Sequence, residues 1–191
     1  MNRNPNLFAN KYRTKSTRLP QWDYSTPWWY FVTICVKDGV CRFGNVVDGE
    51  MRLSKVGEIV ANEWQKTEQI RENVELDEWI VMPNHLHGIV IINRRLPVET
   101  HCNASLRKSD SGPANKFGPQ SNNLAAIIRG FKGASTNRIH TTGHKNFAWQ
   151  PRFYDHIIRN EKSLDKIRFY IHHNTRKWEE DEYHPHKLSV K

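Results

Sequence analysis

Hydrophobic and polar positions along the chain predict an ordered series of strands and helices. Residues 28–37, WWYFVTICVK, are β-branched and aromatic without a break and read as a buried strand. The following 38–52 carry Asp38-Gly39 and Asp48-Gly49, turn pairs that suit a small hairpin. Ser54 then stands as an N-cap before Val56, Ile59, Val60 and Trp64, whose helical spacing predicts a helix to about Arg71. VELDEWIVM and HLHGIVIIN read as two strands, and Pro83-Asn84 between them predicts an antiparallel hairpin. A second helix is expected from about Asn123 to His140, although Gly130 and Gly133 weaken it. Residues 147–159 read as a strand entered through Pro151. Asn160 can cap a last helix over roughly 161–178, with Glu161 in its first turn and Arg176 and Lys177 in its last.

Between these elements lie three segments with little patterning. Residues 1–27 are basic and broken by prolines, and read as an arm. Residues 94–121 are polar, with Gly and Pro and no period, and read as a flexible insertion. Residues 179–191 read as a loose tail. The domain is therefore expected over 28–178. The order of elements predicts an α+β fold: a ferredoxin-like β-α-β-β-α-β core with an antiparallel sheet, plus a C-terminal helix.

Composition narrows the partner. The formal net charge is +9 and seven Trp, six Tyr and eight Phe accompany it, a mixture that suits nucleic acid and base stacking. Cys35, Cys41 and Cys102 form no CxxC pair and read as free thiols, and no apolar run is long enough to span a membrane. These features, and an N-terminal stretch without the apolar run of a signal peptide, lead to the expectation of a cytoplasmic protein.

Two constellations carry chemistry. His85 and His87 flank Leu86, so on a strand both imidazoles project from one face and can meet one metal ion; a pair of ordinary sheet histidines would look the same. In the last helix Tyr170 and Asn174 are four residues apart and share a face, beside the stripe Leu164, Ile167, Ile171 and Trp178 that must pack on the sheet. A core tyrosine is the plainer reading of Tyr170 taken alone. Together, two imidazoles and an amide oxygen make a mixed site with open positions, suited to Mg²⁺ or Mn²⁺ on a phosphate. A tyrosine hydroxyl beside that phosphate can attack it. Tyr154 and His156, on one face of the preceding strand, are an alternative pair. Arg18, Arg129, Lys132 and Arg138 are candidates for nucleic-acid contacts, as are Arg13 and Lys15, with a solvated surface charge as the alternative for each.

The run MPNHLHGIVI resembles the histidine–hydrophobe–histidine (HUH) motif of single-tyrosine transposases. The segments RLPQWDYSTPWWYFVTICVKDGVCRFG, LAAIIRGFKGASTNRI and WQPRFYDHIIRNEKSLDKIRFYIHHN, in this order, resemble the REP-associated tyrosine transposases, domesticated relatives of insertion-sequence transposases. The likeness runs from about Arg18 to Trp178, apart from 94–121. It implies a ferredoxin-like core, a divalent metal, and cleavage and rejoining of single-stranded DNA hairpins formed by repetitive extragenic palindromes. By position it implies His85 and His87 as metal ligands, Tyr170 as nucleophile and Asn174 as the polar ligand, where insertion-sequence relatives often carry Gln. A nuclease that only nicks, or a hairpin-binding regulator without catalysis, would share most of these features. Monomer and homodimer are both compatible with the sequence.

Overall fold

The computed structural model describes Leu19, residues 21–94 and residues 123–188. Arg13, Lys15, Arg18 and residues 95–121 of the insertion expected over 94–121 lie outside the described residues. The elements are β1 (Trp29–Cys35), β2 (Gly44–Val47), β3 (Glu50–Leu53), α1 (Lys55–Ile70), β4 (Val74–Val81), β5 (His85–Ile92), α2 (Leu124–Thr141), β6 (Tyr154–Ile157), α3 (Glu161–His173) and α4 (Pro185–Leu188).

β2 and β3 form a separate hairpin closed by Asp48 and Gly49, both at positive φ (52° and 76°), as a tight two-residue turn requires. The other strands form one sheet in the order β4-β5-β1-β6, every pairing antiparallel. With β1-α1-β4-β5-α2-β6 connectivity this is the expected ferredoxin-like core.

Strand alternation divides the sheet into two faces. Tyr30, Val32 and Ile34 of β1 and Leu86, Val90 and Ile92 of β5 enter the main core with Val60 and Trp64 of α1 and Ile127, Ile128 and Phe131 of α2. Gly88 of β5 is required here: a Cβ would stand 2.7 Å from the Trp64 ring. Phe31, Ile89, Ile158, Leu164 and Ile171 form a smaller core on the opposite face, with Ile167 packed against it, so α3 covers that face. His85 and His87 share it by strand parity.

Three helices start where the sequence places them, with Ser54 and Asn160 capping as expected and Asn123 capping the third in the same way. Ser54, Asn123 and Asn160 each accept a hydrogen bond from the backbone N–H three residues on, at 3.1, 2.9 and 2.9 Å. Gly130 and Gly133 do not interrupt α2, because its buried face outweighs their low propensity.

Three expectations about extent need correction. The strand expected over 147–159 is only Tyr154–Ile157, with one earlier bridge between Val36 and Trp149. Pro151 lacks an N–H and Arg152 sits at φ 69°, which breaks regular pairing. The last α-helix ends at His173, and Thr175–Glu180 continue as a tighter 3-10 turn. The tail expected to be loose folds back: the Asn84 side-chain amide donates to the Tyr183 carbonyl at 2.7 Å, and Asp181 accepts from the Tyr183 N–H at 2.7 Å. The proline-rich arm also contributes to the core, since Tyr24 is buried and Trp22 Nε1 donates to the Tyr30 hydroxyl at 3.1 Å.

Candidate active site

β5 begins directly after the Pro83-Asn84 turn, which puts His85 and His87 at the end of a central strand beneath α3. Both rings are buried, and their Nε2 atoms lie 2.9 Å apart. Asn84 orients the first. Its amide nitrogen donates to the carbonyls of Gly39 (2.9 Å) and Tyr183 (2.7 Å), so its oxygen faces His85 Nδ1 at 2.8 Å. An amide oxygen only accepts, so His85 carries its proton on Nδ1 and turns a bare Nε2 toward His87. His87 Nδ1 in turn lies 2.8 Å from the Thr33 hydroxyl. Burial, and then the neighbouring His87, hold His85 well below its ordinary pKa; burial alone brings His87 to about 3. The pair is neutral near pH 7, the form that ligates metals.

α3 supplies the next two groups. The Tyr170 hydroxyl lies 3.1 Å from His87 Nε2, and its ring stands edge-on to Phe31 with centroids 6.2 Å apart. Asn174, one turn later at the helix end, is buried, and its Oδ1 has no hydrogen-bond partner. The Asn174 side chain favours the ionised forms of both Tyr170 and Asp181. Burial, reinforced by the Asp181 charge and opposed by Asn174, pushes the Tyr170 hydroxyl up to about 12.

The segment after α3 completes the cluster. Asp181 is buried, and ligand atoms of His85, His87 and Asp181 all lie within 4.8 Å of one another. Burial raises the Asp181 carboxyl above its usual range, against the opposing Tyr183 N–H and Asn174 side chain. The Tyr183 ring covers His85 with centroids 4.8 Å apart. Sequence reasoning missed both residues. The run Glu179, Glu180, Asp181, Glu182 announces an acidic segment, but nothing local singles out which carboxylate turns inward.

These donors fit a metal ion. Two nitrogens each about 2.0–2.2 Å from one ion, at right angles, lie about 3 Å apart, close to the observed 2.9 Å. A proton on His87 Nε2 would satisfy the histidine pair equally well, with Thr33 donating to Nδ1. It would leave Asn174 Oδ1 buried and unpaired, a cost of about 1–3 kcal/mol that a cation removes.

The other candidate residues lie elsewhere. Tyr154 borders the same groove as Tyr170, whereas His156 lines a neighbouring depression with Arg159 and Asn160. Arg129, Lys132 and Arg138 belong to α2, on the opposite face of the sheet from the histidines. Lys132 donates to the carbonyls of Gln150 (2.8 Å) and Arg152, and Arg138 pairs with Glu63 at 3.4 Å. The structure does not bring these three cations together with Tyr170 and His87. Arg129 and Lys132 border an open cleft of about 950 Å³ between α2 and residues 147–153.

No protein-family model matches the chain. An uncharacterized protein of Haemophilus influenzae is 34% identical over 174 residues, covering 91% of this chain and 94% of that one. The chain belongs to one family with it. A solved REP-associated tyrosine transposase, bound to a REP hairpin, superposes with a TM-score of 0.54 at 21% identity, covering 87% of this chain and 74% of its own. The fold is that of a REP-associated tyrosine transposase. A candidate transposase from Deinococcus radiodurans R1 aligns more loosely, with a TM-score of 0.41 and 17% identity over 83% of this chain and 96% of its own.

Within this fold, the two histidines of β5 and the Asp181 turn converge on one buried cluster, and Tyr170 of α3 reaches its edge from the exposed groove. No helix among the described residues is long and apolar enough to cross a membrane.

Proposed function

We propose that this chain is a metal-dependent, single-tyrosine strand transferase acting on single-stranded DNA, with Tyr170 as nucleophile. The observation that carries the reading is the buried, unpaired Asn174 Oδ1 in the groove that Tyr170, His87 and Asp181 also line, with His85 completing the donor cluster. His85 and His87 would hold a divalent Mg²⁺ or Mn²⁺ ion together with Asn174 and Asp181. When bound, such an ion draws charge from a scissile phosphate and offsets the charge that develops on its oxygens.

The chain's own groups account for the rest. Asp181 carries one negative charge when ionised and a phosphodiester carries another, so a doubly charged cation balances the assembled site. Asn84 and Thr33 orient the imidazoles, as partners of metal-binding histidines generally do. Tyr170, on a helix anchored by Leu164, Ile167 and Ile171, keeps its hydroxyl at the His87 edge of the groove. Its oxygen attacks phosphorus and gives up its proton to solvent, and the bond from phosphorus to the 3′-oxygen breaks. That oxygen takes up a proton from solvent and leaves as a hydroxyl, so the step consumes no net proton. A 3′-hydroxyl can reverse the step, so joining is as accessible as cutting.

A hairpin substrate is supported by the structural neighbour bound to a REP hairpin and by the +9 charge of this chain. Arg18, Arg129, Lys132 and Arg138 remain the proposed phosphate contacts. Tyr154 is the competing nucleophile, and the Tyr170 hydroxyl beside His87 favours Tyr170. The test is incubation of labelled single-stranded hairpin DNA with the protein and Mn²⁺, followed by a denaturing gel. A covalent protein–DNA adduct that chelator prevents is expected. Hairpin binding without adduct in excess Mn²⁺ would leave only a binding protein.

A further inference from the structure

The groove at Tyr170 exposes more aromatic surface than the chemistry above uses. Nine large hydrophobic side chains are exposed among the described residues, and three of them, Tyr154, Phe169 and Tyr170, border this one groove. Isolated exposed hydrophobics need no explanation, but a cluster beside a reactive group calls for one.

Phe169 is the clearest case. It precedes the nucleophile candidate directly and is 61% exposed. Anchoring of α3 falls to Leu164, Ile167 and Ile171, so the fold does not need the Phe169 ring. The ring is nevertheless held. It lies against the His173 imidazole, with centroids 3.9 Å apart and planes 24° apart, and His173 Nδ1 bonds the Phe169 carbonyl at 2.9 Å. A backed ring has lost its rotamer freedom before any ligand arrives.

Charge restricts what can lie against it. Asp181, Glu180 and Glu182 border the groove, and among the described residues that line it Lys177 is the only lysine or arginine. That balance disfavours a run of phosphates along the groove and leaves a place for one beside the histidines. Further contact with a strand must then come from uncharged parts, which are the bases. The groove, about 660 Å³, has room for a base and its sugar.

We infer that Phe169, backed by His173, is a stacking platform for one unpaired nucleobase next to the phosphate that Tyr170 attacks. The inference rests on the strand-transfer reading and deepens it. A phenyl face offers no hydrogen bonds, so it selects an unpaired base over a paired one and tolerates sequence.

The test uses the full chain and hairpin oligonucleotides with single-stranded flanks, each flank position replaced in turn by an abasic site. Wild type should lose cleavage about tenfold at one position adjoining the cut. Phe169→Ala should lose about as much on the intact oligonucleotide and nothing further with that abasic site, and Phe169→Trp should restore the rate. A second readout does not need cleavage. The fluorescent base aminopurine at each flank position should be quenched at one of them by Tyr170→Phe protein, and not by the Tyr170→Phe, Phe169→Ala double variant. An abasic scan that is flat in a cleaving enzyme, additive losses, or quenching that survives Phe169→Ala would overturn the platform. Quenching that depends on Phe169 in a protein that never forms adduct would instead retain the platform and remove the strand-transfer reading.

Discussion

The Tyr170 hydroxyl stands 3.1 Å from His87 Nε2, although 83 residues separate the two along the chain. One is on α3 and the other on β5, and only the docking of the helix on the sheet brings them together. Tyr170→Phe removes the hydroxyl and keeps the ring beside Phe31 and His87. Adduct formation should vanish, while hairpin affinity and melting temperature stay near wild type. Adduct from this variant, lost instead in Tyr154→Phe, would reassign the nucleophile.

Metal should stabilise the fold by binding only the folded cluster. Wild type should show a melting temperature that rises with Mn²⁺ concentration, by roughly 2.7 kcal/mol of stability at a hundredfold excess over the dissociation constant. His85→Ala and His87→Ala should flatten that response. Asp181→Asn keeps the size of the side chain but removes its charge, and should weaken binding at least about tenfold. A full Mn²⁺ response in His87→Ala would place the ion elsewhere.

Asn84 should matter twice. Its amide nitrogen ties the Gly39 and Tyr183 carbonyls together, and its oxygen faces His85 Nδ1. Asn84→Ala should destabilise the protein by about 1–3 kcal/mol in denaturant unfolding, because buried partners are left unpaired. It should also weaken Mn²⁺ binding by about 10-fold or more, since the imidazole loses its orienting partner. Unchanged metal affinity in a folded Asn84→Ala protein would confine its role to the turn.

The helix that carries Tyr170 is also clamped by charge. Arg168 reaches Asp77 of β4 through Nε at 3.1 Å and its terminal nitrogen at 2.5 Å. Burial pushes the Asp77 carboxyl up, but the Arg168 guanidinium and the Glu78 N–H outweigh it and leave it below its usual value. A carboxyl depressed on folding contributes stability that is present above its unfolded pKa, about 3.9, and is lost as pH falls through the folded value. Because Arg168 is partly exposed, Asp77→Asn should cost at most about 1 kcal/mol at neutral pH. The difference should disappear in strongly acidic buffer. Unfolding curves of the two proteins at both pH values test this, and an equal gap at both would assign the loss to packing instead.

Local pattern alone determined much of this protein. A β-branched and aromatic run marked β1, the Pro83-Asn84 turn signal marked the hairpin of β4 and β5, the 3.6-residue period marked three helices, and Ser54, Asn123 and Asn160 marked their starts, because composition, turns, caps and periodicity act over a few residues. The HxH pair and the Tyr170–Asn174 pair were legible for the same reason, since each lies within one element whose geometry sets which side chains share a face. Tertiary structure alone decided how those pairs meet and what else joins them. Asp181 turns inward because Asn84, far away in sequence, captures the Tyr183 carbonyl, and no property of the 179–182 acidic run distinguishes that carboxylate from its neighbours. The side of the sheet on which Arg129, Lys132 and Arg138 fall is likewise set by the helix crossover. The short β6 follows from Pro151 and the Arg152 backbone overriding a strand-like composition. Residue type limits what a side chain can do, but long-range packing fixes its neighbours, and a site assembled from a strand, a helix end and a returning segment depends on the second.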